Sequence, residues 1–254
     1  MFLKTIKESL IIFERCFLKM MKTPEQLMDT LIFPIVFLLM FTYIFGGAIS
    51  GSTANYLPIV IPGVLVFCVL NTAGALGTNL KEDIETGIFN RFKSMPISRI
   101  APLAGTLICD SIRFVISILV TFILAIIMGF WPSSGFIGIF LALIFTVFCG
   151  WCISWIFAFI GLIMRTSGSV QGISFVITMP LMFISNALVP VDTMPKILEI
   201  IAKINPVTHM VNAVKNLLIG NIFSQEIFIS LILMIAVVTV FVPFTLKVYM
   251  KKQL

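Results

Sequence analysis

Few side chains in this sequence can do covalent chemistry, and their spacing does not assemble them into a site. Cys149 and Cys152 have the C-x-x-C spacing of a thiol–disulfide redox pair. That chemistry needs a strand-to-helix turn that exposes one thiolate. The pair instead lies inside an unbroken apolar run, so packing is the expected role. Cys16, Cys68 and Cys109 are scattered and imply no disulfide framework. His209, the single histidine, has no second histidine or nearby cysteine with which to hold a metal, which leaves it a polar or interface role. There is no G-x-x-x-x-G-K-[ST] loop and no Gly-Lys dipeptide, so the chain does not bind ATP in the P-loop manner. Asp110 and Arg113, three residues apart in an apolar segment, form a candidate intramembrane ion pair. Their place early in that segment favours a structural or snorkelling pair over substrate contact.

The elements that carry these residues follow from composition. Of 254 residues, 59% are hydrophobic and 11% charged, against about a quarter charged in ordinary globular domains. Several apolar runs reach the roughly twenty residues that a spanning helix needs. The expected fold is an all-α polytopic membrane protein built as one domain over 1–254. It begins with an amphipathic interfacial helix over 1–25, in which Phe2, Ile6, Leu10, Phe13, Phe17 and Met20 alternate with Lys4, Glu8, Arg15, Lys19 and Lys22. Glu14 and Arg15 interrupt its apolar part, which argues against a signal peptide. Six spans are expected, over 28–48, 58–80, 101–129, 136–164, 170–188 and 226–247. Small and polar residues in the second (Gly63, Asn71, Thr72, Gly74, Gly77, Thr78) point to close packing between helices.

The interval 190–222 is too polar for a span and too apolar for a free loop. Pro195 and Pro206 suit the first turns of two short helices and Gly220 suits a left-handed close, which predicts a re-entrant helical hairpin between the last two spans. The net charge of +6 follows the membrane and is not a nucleic-acid footprint. Thirteen of seventeen Lys and Arg fall on the side of the two termini and the 81–100 loop. Lys196, Lys203 and Lys215 fall on the other, and Arg113 lies within a span. By the positive-inside tendency both termini are cytoplasmic.

The loop 81–100, KEDIETGIFNRFKSMPISRI, holds seven charges in twenty positions. Ile84, Ile88 and Phe92 share a helical face with Phe89 and Met95 nearby, and Pro96 would end the turn, so a short surface helix is expected. Glu85-Thr86-Gly87, Arg91, Met95-Pro96-Ile97-Ser98-Arg99 and Gly105 resemble the first cytoplasmic loop of ABC-2 permease subunits of ATP-binding-cassette transporters, roughly E-x-G-x-x-x-x-L-x-x-x-P-[IL]-x-R. Phe92 stands where that pattern has Leu. Ser185-Asn186-Ala187-Leu188-Val189-Pro190, Met194-Pro195, Asn205-Pro206-Val207-Thr208 and Leu217 to Gly220 are similar to the family's segment after its fifth span, above all in the drug-resistance exporter branch.

The resemblance implies half of a transporter in the bacterial inner membrane. A second, identical permease copy would complete the path, and two cytosolic P-loop ATPase subunits, which bind ATP and Mg, would drive it. No cofactor and no catalytic or metal site are expected in this chain. ATPase coupling falls to Glu85, Gly87, Phe89, Arg91, Phe92, Pro96 and Arg99. Spans one, two and five would line the path, with Asn71, Thr72, Thr78, Ser174, Thr178, Ser185 and Asn186 offering polarity to an amphipathic drug, antibiotic, lipid-linked or peptide substrate. Two other classes meet obstacles. An ion-gradient-driven transporter usually shows mid-membrane carboxylates, and a membrane lipid-modifying enzyme needs convergent His, Asp, Glu or Cys groups.

Overall fold

A computed structural model of the chain describes residues 2–95, 97, 98 and 100–253. Among these residues every regular element is helical: α1 (Phe2–Lys22), α2 (Pro24–Ser50), α3 (Thr53–Glu85), α4 (Ile88–Ser94), α5 (Ala101–Ile127), α6 (Gly135–Ile163), α7 (Ser167–Phe183), a 3-10 turn (Val191–Thr193), α8 (Lys196–Ile204), α9 (Pro206–Ile219) and α10 (Gln225–Gln253). Five of the described helices, α2, α3, α5, α6 and α10, are long and apolar enough to cross a membrane. The expected fifth span reaches Leu188, but α7 stops at Phe183 after 17 residues. At a rise of about 1.5 Å per residue that is some 25 Å, short of the roughly 30 Å of hydrocarbon. Pro180, Ile184 with its non-helical backbone, and a run of turns bring it to an end.

The axis of the bundle is α3. Every residue from Val60 to Leu70 is buried, and α2, α5, α6, α7 and α9 pack around it. Small residues allow the closest approaches, as in other membrane bundles. A methyl group added at Gly77 would stand 2.4 Å from the Phe157 carbonyl oxygen of α6, and one at Gly161 would stand 2.4 Å from the Gly77 carbonyl oxygen. Gly63 receives the backbone after α7, its added methyl lying 1.8 Å from the Ala187 carbonyl oxygen.

The expected polar loop 81–100 begins as helix. α3 continues unbroken through Glu85, with Lys81 and Asp83 buried. Asp83 survives burial because α1 neutralises it, Lys19 Nζ at 3.4 Å and Arg15 Nη2 at 3.7 Å. The chain turns only at Gly87, whose φ of 74° is left-handed and open to glycine at little cost. Part of the basic face of α1 therefore lies on protein, and Ile12 and Ser9 pack onto Gly105 of α5. Expectations for the side chains of Phe2, Lys4 and Ile6 lie outside the described residues.

The 190–222 interval forms two short helices, but with unequal environments. Pro195 precedes α8 instead of entering its first turn, and Ile197, Ile200 and Ile204 are exposed. Pro206 opens α9, whose Val207, Met210, Val211, Val214, Leu217 and Leu218 are buried, and Gly220 closes it at φ 96°. Asn205 joins the two. Its Oδ1 accepts from the Val207 N–H (2.9 Å), and its Nδ2 donates to the Leu181 (2.7 Å) and Ile184 (2.6 Å) carbonyls left open at the end of α7.

Candidate functional site

A cavity of about 330 Å³ opens between α2, α3 and α7 in the half of the bundle nearer α4. Asn71 and Thr78 reach it from α3, Ser174 and Thr178 from α7. The other three residues expected on the path lie elsewhere. Thr72 is buried, Ser185 donates to the Met182 carbonyl (2.6 Å), and Asn186 donates to Asn212 Oδ1 (2.6 Å) while accepting from the Val191 N–H (3.3 Å). Ser185 and Asn186 thus shape the turn that ends α7.

Sequence reasoning missed Asp29, Gln171 and Phe175, which also line the cavity. A signal was present for Gln171, three residues before Ser174 and seven before Thr178 on one helical face. Asp29 sits at the second position of the first expected span, where a carboxylate reads as a headgroup-level edge residue. Its function emerges only from its neighbours. Asn71 Nδ2 donates to Asp29 Oδ1 (2.9 Å), and Arg113 Nη2 reaches Asp29 Oδ2 (3.4 Å).

Arg113 also donates through Nη1 to Asp110 Oδ1 (3.0 Å) and through Nε to Thr30 Oγ1 (3.4 Å). Only 2% exposed, it does not snorkel; it joins α5 to α2 as a structural pair. A buried guanidinium without partners would cost several kcal/mol (roughly 3–5 for a broken pair), so the two carboxylates are what permit it there. Asp110 is deeply buried, whereas the Asp29 side chain is 30% exposed toward the cavity.

Below this network lies the α4 segment. Phe89 is buried edge-on to Tyr249 of α10, ring centroids 5.4 Å apart. Phe92 lies under the Arg15 guanidinium at 5.2 Å, and Glu8 Oε2 accepts from the Ser98 N–H at 2.8 Å. These contacts strap α4 to α1 and α10, while Arg91, Ser94 and Met95 remain exposed. Pro96 and Arg99, expected in the coupling set, lie outside the described residues.

Glu85, expected in the coupling set, is exposed and accepts from the Ser167 N–H (3.0 Å) and the Ser167 hydroxyl (3.1 Å) at the start of α7. A carboxylate there satisfies an open amide and complements the helix dipole. The cavity helix α7 is thereby tied to the residue from which the α4 segment hangs.

The remaining reactive groups do not converge. Cys149 and Cys152 are buried free thiols, and the described residues contain no group of three or more His, Cys, Asp or Glu arranged to hold a metal. His209 Nδ1 lies 2.6 Å from Glu226 Oε2 and joins α9 to α10.

Residues 8–219 match the family described as ABC-2 type transporter. The chain belongs to that family. This ABC-2 permease is 37% identical over 230 residues to the daunorubicin resistance ABC transporter permease protein DrrB1 of Streptomyces coeruleorubidus, covering 91% of this chain and 81% of the relative. It is 30% identical to the putative transport permease ycf38 of Cyanophora paradoxa (88% and 79% covered) and 26% identical to that of Porphyra purpurea (83% and 73% covered). The permease is a multi-pass membrane subunit of an ABC transporter.

Proposed function

We propose that this permease exports an amphipathic molecule across a bacterial inner membrane as one of two identical copies, driven by two cytosolic P-loop ATPase subunits that carry ATP and Mg. The observation that carries this reading is the Glu85–Ser167 bridge, which links the exposed α4 segment to a helix lining the 330 Å³ cavity. Cavities of roughly 300–1,000 Å³ suit small-molecule ligands. The named drug-resistance relative supports a drug or antibiotic as the cargo.

In this mechanism Arg91, Ser94 and Met95 present α4 to a groove of the ATPase. Closure of the ATPase pair displaces α4 as a rigid body about Gly87. Phe89 against Tyr249 carries the movement to α10, and Glu85 carries it to α7, changing the shape of the cavity wall. The exposed apolar faces of α2 and α7 would meet the second copy.

With α7 counted as a sixth crossing, the thirteen basic residues on the side of the termini and the 81–100 loop support cytoplasmic termini. The 190–222 hairpin then enters from outside. Pro206, Val207 and Met210 share an apolar cavity with Leu70 and Ile153. Each of those two is about 25 Å along its own helix from the end remote from α4, at about 1.5 Å per residue, a depth consistent with a re-entrant tip that Asn205 keeps hydrogen-bonded.

The test is reconstitution of the permease with a P-loop ATPase that co-purifies with it, in proteoliposomes loaded with a fluorescent amphipath. Flux that requires ATP, together with crosslinks from Ser94→Cys to the ATPase, is the expected result. Flux independent of the ATPase, or no crosslink anywhere on α4, would overturn the reading.

A further inference from the structure

We infer that the α2–α3–α7 cavity is a binding site for a hydrophobic organic cation, with Asp29 as the group that selects its charge. This rests on the transport reading above and narrows it to a substrate class.

Three observations lead there. First, Asp29 is the only charged residue lining the cavity, and no Lys, Arg or His lines it among the described residues. Second, Arg113 is shared. One guanidinium serves two carboxylates, Asp110 at 3.0 Å and Asp29 at 3.4 Å, so this hydrogen-bonded trio is one negative charge in excess; Lys19, which lines a neighbouring cavity with Asp110 and Arg113, is itself engaged by Asp83. The shorter bond goes to the deeply buried Asp110, and Asp29 is the one that keeps an accessible face. The rest of the wall is uncharged amide, hydroxyl and apolar side chain, so no other charge there competes for a cation, and a carboxylate partly withdrawn from water attracts one more strongly than it would in bulk water.

Third, Ser174 is 7% exposed, lines the same cavity, and has a hydroxyl with no hydrogen-bond partner. The oxygen itself is covered against α3, so a ligand reaches it through a change of the Ser174 rotamer, which the cost of leaving a buried hydroxyl unpaired favours when a polar group is present. Phe175 and Met179 supply the apolar part of the wall, an aromatic face and a pliable thioether for the body of the cation.

The probes are tetraphenylphosphonium and tetraphenylborate, nearly identical in size and shape and opposite in charge. Their binding to the purified permease in nanodiscs is measured by equilibrium dialysis, with empty nanodiscs of the same lipid subtracted. The wild-type protein should prefer the cation by about tenfold, the ratio that corresponds to 1.4 kcal/mol. Asp29→Asn, which retains a side-chain oxygen to accept from Asn71, should reduce the preference to under about threefold. Gln171→Glu, at an exposed position on the opposite wall, should raise it above the wild-type value and does not depend on disturbing the Arg113 cluster. Equal binding of the two ions by the wild-type protein, or a preference that neither substitution changes, overturns the inference. ATP-driven export without cation preference would remove this site assignment and leave the transport reading standing. Cation binding without any ATP-driven flux would do the reverse.

Discussion

Removing the Glu85 carboxylate separates two roles that one exposed acid in this loop could play. In Glu85→Ala the Ser167 N–H and hydroxyl lose their acceptor at 3.0 and 3.1 Å. Hydrogen bonds to a charged group contribute roughly 1.5–3 kcal/mol when shielded. Exposed ion-assisted contacts fall to about 0.2–1 kcal/mol. With two bonds at an exposed helix start, about 1 kcal/mol is a reasonable total, or roughly a fivefold shift in how often α7 is held to the α4 segment. Ser167→Ala keeps the backbone donor and should lose about half of that. The double variant should be little worse than Glu85→Ala alone, since both changes remove the same interaction.

The readout is the number of ATP molecules hydrolysed per molecule exported in proteoliposomes, paired with crosslinking of Ser94→Cys to the ATPase. Glu85→Ala should raise the ATP cost about fivefold and Ser167→Ala about twofold, while crosslinking stays at the wild-type level. If Glu85→Ala abolishes crosslinking, if Ser167→Ala has no effect, or if the two effects simply add, then Glu85 acts at the ATPase surface and the bridge to α7 transmits nothing.

Three further outcomes follow from the packing and the charge distribution. Gly77→Ala places a methyl group 2.4 Å from the Phe157 carbonyl oxygen, where ordinary contact begins near 3.4 Å; overpacking of about 1–3 kcal/mol should lower the thermal midpoint in detergent, and an unchanged midpoint would mean that α3 and α6 do not cross there. In a cysteine-free background, Ser52→Cys and Ser133→Cys should react with an impermeant thiol reagent on intact cells and Ser94→Cys should not; the opposite pattern inverts the topology. Nitroxide labels placed along α8 and α9 should show Ile200 and Ile204 accessible to a lipid-soluble quencher and Val211 and Val214 shielded, and uniform water accessibility along both helices would rule out the re-entrant hairpin.

Helical class, membrane residence and the approximate limits of most long helices were legible in the sequence because a hydrocarbon slab imposes a length and a polarity that composition must satisfy. The existence of α4 was legible from the apolar spacing of Ile88 and Phe92 with Phe89 nearby, although the break at Gly87 that parts Ile84 from that face was not. The two helices of 190–222 were legible from their apolar spacing and from Pro206 and Gly220, which suit a helix start and a left-handed close. Asn71, Thr78, Ser174 and Thr178 were recognisable as polar residues in apolar helices, although Thr72, Ser185 and Asn186 looked the same and pack elsewhere.

The destinations of charged side chains were decided by the tertiary structure alone. Glu85 has the composition of a surface residue in a coupling loop, yet its acceptor oxygens meet Ser167, 82 positions away. Asp29 reads as an edge residue until Arg113 and Asn71 converge on it from two other helices. Hydrophobic period is a property of one segment, so one segment reveals it. A charge in an apolar bundle takes its meaning from whichever partners come within a few ångströms, and that distance is set by how α2, α3, α5 and α7 cross.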